Sequence, residues 1–294
     1  MKTNLPKLLP LLAIALIVSS ATLPVVKKKK TQPHVKETVV FFDDFSGKTV
    51  DRSKWNVRNT EFVVNNEQQA YVDSSATVYI THGAEAEGAQ NGALVIKPVF
   101  YKGFENKFGK FDFLSGRMDT RSKVEVTYGH LSARMKLPVG DGYWPAFWAL
   151  GVGKWPDCGE IDIMENVGEG DWVSAAIHGP GYFGETPIVN KVYLKPGNDV
   201  SKWHVYSVDW DANAMVFKVD GEVFYRVTRP MIENYGKWAF DAPKYLILNM
   251  ALGGAYPAKV NGIKSPYNGM SEKVVNEIKA GKAKVLVDWV KVTR

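Results

Sequence analysis

The sequence predicts an all-β chain folded as a sandwich of two antiparallel sheets. Three observations predict it. Short β-branched or alternating runs recur through residues 37–294. Turn signals such as Asn91-Gly92 and Asp220-Gly221 separate them. No helical pattern alternates with the strands, as a parallel α/β sheet would require.

Taken in order, residues 1–21 read as a secretory signal peptide. Lys2 and Lys7 give a charged start, Leu8 to Val18 an apolar stretch, and Ser19-Ser20-Ala21 small residues for cleavage. An uncleaved anchor is the alternative, because apolar character extends to Val26; Pro10 and Pro24 weaken a spanning helix. Residues 22–36 form a basic linker, and 37–294 a single domain. Expected strands are Glu37–Phe42, Ala93–Val99, Lys123–Leu137, Trp172–His178 and Trp203–Trp210, then Met215–Val219, Val223–Val227 and Tyr245–Leu252. Met215–Val219 and Val223–Val227 flank Asp220-Gly221 as a hairpin. Only Ser271–Lys279 looks helical, and it is expected at the periphery.

The 294 residues are 45% hydrophobic and 23% charged, which excludes a mostly disordered chain. The net charge of +6 belongs to the leader: residues 1–30 carry six lysines and no acid, so 31–294 is formally neutral. A neutral body without a basic stripe argues against nucleic-acid binding. Cys158, the single cysteine, excludes both an intramolecular disulfide and a four-cysteine zinc site.

The densest acidic cluster is Gly159-Glu160-Ile161-Asp162-Ile163-Met164-Glu165-Asn166. Interleaved apolar residues mark a strand, yet strict alternation sends Glu165 to the face opposite Glu160 and Asp162. A charged glutamate pointing into a core is costly. One extra residue near Ile163–Met164, forming a β-bulge, returns Glu165 to the shared face. Three like charges there repel unless chemistry requires them. Retaining glycoside hydrolysis does require two carboxyl groups about 5–5.5 Å apart. Upstream, Trp144 and Trp148 share a strand face, and Trp155 precedes Glu160 by five residues. Indole faces beside acids suit a sugar site.

The block Trp144 to Val167 resembles glycoside hydrolase family 16, particularly its laminarinase-like (endo-β-1,3-glucanase) branch. Further matching segments are Val40–Phe45 with Trp55, Asn65–Tyr71, Ala133–Pro138, Ile177-His178, Trp203–Tyr206, Leu248–Gly254 and Val287–Val292. The resemblance implies a concanavalin-A-like jelly roll with a substrate cleft on its concave face. It implies Glu160 as nucleophile, Glu165 as general acid/base and Asp162 as the residue tuning the nucleophile. Trp144, Trp148 and Trp155 would line donor subsites, and His178 would sit near the point of cleavage or serve a structural role. Asn66, Arg117 and Asn249 are candidates for hydrogen bonds to sugar hydroxyls. No metal or cofactor is expected in catalysis; a structural calcium on the convex side would have Asp288 as a ligand. Where relatives often read Gly-Arg-x-Glu-x-Arg, this chain has Gly129-His130-Leu131-Ser132-Ala133-Arg134, which puts polar contacts on that strand in doubt.

The expected activity is endo-hydrolysis of β-glucan, most directly β-1,3-glucan such as laminarin, by double displacement. Alternatives are transglycosylation, hydrolysis of agar or carrageenan, and non-catalytic glycan binding on the same fold. The expected partner is a polysaccharide, with no nucleic acid and no stable membrane association once the leader is cleaved. A secreted or periplasmic monomer follows.

Overall fold

The computed structural model describes residues 37–294; the expected signal peptide and the basic linker lie outside them. Two eight-stranded antiparallel sheets form the body. In the first, the order is Glu222–Thr228, Ala214–Val219, His204–Trp210, Gly129–Lys136, Val285–Thr293, Ala93–Ile96 and Val78–Thr81, with Val39–Asp43 also paired to Val285–Thr293. In the second it is Ile188–Tyr193, Trp172–His178, Glu160–Glu165, Tyr143–Gly151, Lys244–Leu252, Arg117–Asp119 and Asn56–Val57, with Glu125–Val126 also paired to Lys244–Leu252. The expected hairpin forms around Asp220, whose φ of 52° and the following Gly221 at 82° are the left-handed pair such a turn requires.

Alternation explains how one strand serves both the core and the site. Along Tyr143–Gly151, Tyr143, Phe147 and Ala149 are buried among core residues, whereas Trp144 and Trp148 project from the opposite face. Facing them across the core are Leu131, Ala133, Met135, Tyr206 and Val208 of the first sheet. Each large apolar side chain buried there contributes about 1.5–3 kcal/mol.

Several expectations need correction. The run Lys123–Leu137 is two strands, Glu125–Val126 and Gly129–Lys136, which belong to different sheets. Left-handed Tyr128, at φ 65°, turns the chain between them. Ala93–Val99 likewise stops at Ile96, because Pro98 has no N–H to donate to a ladder. The chain restarts as Val99–Asn106 in a third, three-stranded sheet in which Gln69–Tyr71 pairs in parallel with Gly109–Ser115. Helix Glu272–Lys279 is present, with Ser271 capping the Val274 amide, but it is not peripheral: Val274, Val275 and Ile278 join the main core. Two further short helices occur at Arg229–Glu233 and Ala255–Asn261. Among the described residues no helix is long and apolar enough to cross a membrane.

Candidate active site

The β-bulge is present where charge parity demands it. Trp148 pairs with Asp162 and Phe147 with Met164, so Ile163 is the extra residue. Against the other neighbour, Asp162 pairs with Ala176 and Glu165 with Ser174, leaving Ala175 opposite both Ile163 and Met164. Ile163 and Met164 are both buried in the core. Glu160, Asp162 and Glu165 consequently line one cleft of about 650 Å³.

The corner before this strand is tightly fixed. Gly159 has φ 69°, and a Cβ there would meet the Ala239 carbonyl at 2.3 Å. Fully buried Lys244 donates to the carbonyls of Cys158 at 2.9 Å and Ala239 at 3.1 Å. Burial pushes its ammonium down to about 8.

Trp144, Trp148, Trp155, His178, Arg117 and Asn249 all line the cleft with the acids. Trp155 Nε1 donates to Glu160 Oε2 at 2.8 Å, and Trp144 Nε1 donates to Glu165 Oε1 at 3.0 Å. Trp148 Nε1 donates to Asn249 Oδ1 at 2.7 Å, and Asn249 Nδ2 donates to the Tyr71 hydroxyl at 3.1 Å. Asn249 thus holds Trp148 in place. The Arg117 guanidinium lies over the Trp148 ring, 5.0 Å from its centroid.

His178 Nδ1 accepts the Gly184 backbone N–H at 3.2 Å, so the neutral ring carries its proton on Nε2. That proton faces the acids: Nε2 is 3.3 Å from Asp162 Oδ2 and 4.0 Å from Glu160 Oε1. Oxygen and nitrogen atoms of Glu160, Asp162 and His178 lie within 4.8 Å of one another, close enough to surround a cation. A protonated Nε2 has no lone pair for a metal, however, and this histidine instead supports carboxylate charge.

Burial raises all three acids. It pushes Glu160 up to about 8, helped by the neighbouring Asp162 charge and opposed by His178 and Trp155. Asp162 is held well above the carboxylate range by burial and by Glu165. Glu165 is also raised by burial, and the Trp144 donor opposes that. Asp162 Oδ2 is buried and, although His178 Nε2 lies 3.3 Å away, that contact is not aligned as a hydrogen bond and leaves the oxygen without a partner. A bare carboxylate oxygen in that position is costly, which makes Asp162 the natural holder of a shared proton.

Asn66 does not line the cleft; Asn65 and Glu67 do. Consecutive left-handed residues, Asn65 at φ 54° and Asn66 at 53°, break the alternation that would have aimed Asn66 inward. The Asn66 carbonyl instead accepts from Gln68 Nε2 at 2.6 Å. Asp288 does not fit a calcium ligand: its oxygens accept from the Gln90 amide at 2.7 Å and from Arg134 Nη1 at 2.5 Å. His130, at the departure from the family pattern, pairs with Asp209 at 2.6 Å on the first sheet. Cleft residues that sequence reasoning missed include Glu67, Tyr71, Tyr256, Glu185 and Lys259. Glu67 and Tyr71 lay inside the matching segment Asn65–Tyr71; the short helix bearing Tyr256 and Lys259 has too few turns to show periodicity.

The family model for glycosyl hydrolases family 16 matches residues 58–290. The chain belongs to glycosyl hydrolase family 16. Its glycosidase fold is a jelly roll shared with laminarinase-like family 16 members. The endo-β-1,3-glucanase of Pyrococcus furiosus is 31% identical, with a TM-score of 0.73 over 87% of this chain and 94% of that one. The laminarinase catalytic domain of Thermotoga maritima is 30% identical, with a TM-score of 0.71 over 88% of this chain and 98% of that one. Glucan endo-1,3-beta-glucosidase A1 of Niallia circulans is 34% identical over 244 residues, which is 74% of this chain and 34% of that longer protein.

Proposed function

We propose that this protein is a retaining, endo-acting β-glucan hydrolase whose preferred substrate is β-1,3-glucan such as laminarin. The observation that carries the proposal is the bulge at Ile163, which brings Glu160, Asp162 and Glu165 to one tryptophan-lined groove. Glu160 acts as nucleophile. Its carboxylate attacks the anomeric carbon while Glu165 gives its proton to the leaving glycosidic oxygen. Glu165 then takes a proton from water, the resulting hydroxyl attacks the same carbon, and Glu160 departs with its charge restored.

The nucleophile must be ionised, and the Asp162 charge opposes that. A proton resting on Asp162 removes the opposition. The Trp155 indole and the His178 Nε2–H then favour the Glu160 anion. Asp162 and His178 are therefore positioning and charge-tuning groups in this mechanism, and Trp144, Trp148 and Trp155 offer stacking faces for sugar rings. The named activities of the relatives support β-1,3-glucan as substrate. A leader-directed secreted or periplasmic location accords with a polymer substrate too large to enter a cell.

Incubating the protein with laminarin, lichenan, agarose and carrageenan, with reducing ends and product anomers followed by NMR, tests the proposal. Laminarin is expected to be cut fastest, internally, with β-anomers appearing first. Initial α-anomers, or preference for a galactan, contradict it.

A further inference from the structure

Two arms meet over the cleft from opposite walls. Antiparallel pairing places Glu160 beside Leu150 and His178 at one end of the floor, and Glu165 beside Ala146 and Ser174 at the other. Gly184 and Glu185 lie beyond His178, off the first end. Helix Ala255–Asn261 follows Leu252, which pairs with Tyr143 off the second end. Glu185 Oε2 nevertheless accepts from Lys259 Nζ at 3.1 Å, and both side chains line the cleft. Each arm is braced on residues of the site. Phe183 packs edge-on against Trp155 at 5.3 Å, the Gly184 amide donates to His178, and Tyr256 packs edge-on against Trp144 at 5.6 Å. The approach of the walls is thereby set by packed elements as well as by two flexible side chains.

We propose that the Lys259–Glu185 pair is a specificity-determining bridge over the groove, favouring an unsubstituted glucan backbone over a backbone sugar that carries a side branch at that position. The inference rests on the β-glucan reading above. With the sheet below and a wall on each side, a branch at a bridged position has to leave through the space the pair occupies. The side chains are 67% and 77% exposed, so the pair is readily solvated and screened. A bridge this weak opens for sideways entry of a long chain and re-forms above it, which suits internal cleavage.

The test is calorimetric titration of the full chain with a linear β-1,3-gluco-oligosaccharide and with the same oligosaccharide bearing β-1,6-linked glucose branches. Wild type, Lys259→Ala, Glu185→Ala and the double exchange Lys259→Glu with Glu185→Lys are compared. Wild type is expected to bind the linear ligand more tightly, and each single change to reduce that preference by up to about fivefold, the range open to an exposed ion pair. The double exchange is expected to restore it. An unchanged preference in both single variants overturns the bridge. Loss of preference that the double exchange fails to restore overturns its ionic basis. Binding of the linear ligand without cleavage contradicts the hydrolase reading alone, whereas failure of wild type to bind either ligand overturns both.

Discussion

At the residue scale, the account turns on where protons sit among three buried carboxyl groups. Glu160 and Glu165 are both raised by burial, so both limbs of the activity profile move upward in pH from the ordinary glutamate value of 4.5. The acid limb reports ionisation of Glu160 and the alkaline limb reports proton loss from Glu165. If Asp162 is neutral through the working range, Asp162→Asn removes no charge. The acid limb of kcat/KM is then expected to stay within about 0.5 in pH of the wild-type position, although turnover falls with the altered hydrogen bonding. A drop of about 1 or more in pH would mean that Asp162 had been ionised and had been raising Glu160. His178 is oriented for the same task by a backbone amide, a contact no sequence pattern announces.

At the element scale, the bulged strand is the device that joins core to site. Inserting one alanine between Met164 and Glu165 adds a residue that the bulge does not absorb and turns Glu165 toward the space now filled by core residues. The expected outcome is loss of detectable laminarin cleavage together with a lower melting temperature, read by circular dichroism. An active, equally stable insertion variant would show that strand parity at the bulge does not set the site. This element was legible in the sequence because the glutamate conflicted with the period of two. The Asp220-Gly221 hairpin was legible because its turn residues are specific. The cleft walls were less so: the residue pair Asn65-Asn66 reverses direction through two left-handed conformations, and helix Ala255–Asn261 is only seven residues long and contains Pro257. Local pattern also failed to separate Glu125–Val126 from Gly129–Lys136, since sheet membership depends on distant partners.

At the scale of the whole molecule, the first sheet and the core hold a wide floor against which acids, indoles and the two walls are set. Formal neutrality of residues 31–294 accords with an uncharged polymer as substrate. The calcium expectation at Asp288 gives way to an ion pair that ties Arg134 to the closing strand of the first sheet. The central claim is that Glu160 and Glu165 divide one bond-breaking step between them. The most direct measurement is laminarin turnover by Glu160→Gln and Glu165→Gln, with each variant's fold checked by its melting curve. Both folded variants are expected to lose about 10³-fold or more in kcat. Near wild-type turnover by folded Glu160→Gln would contradict the account.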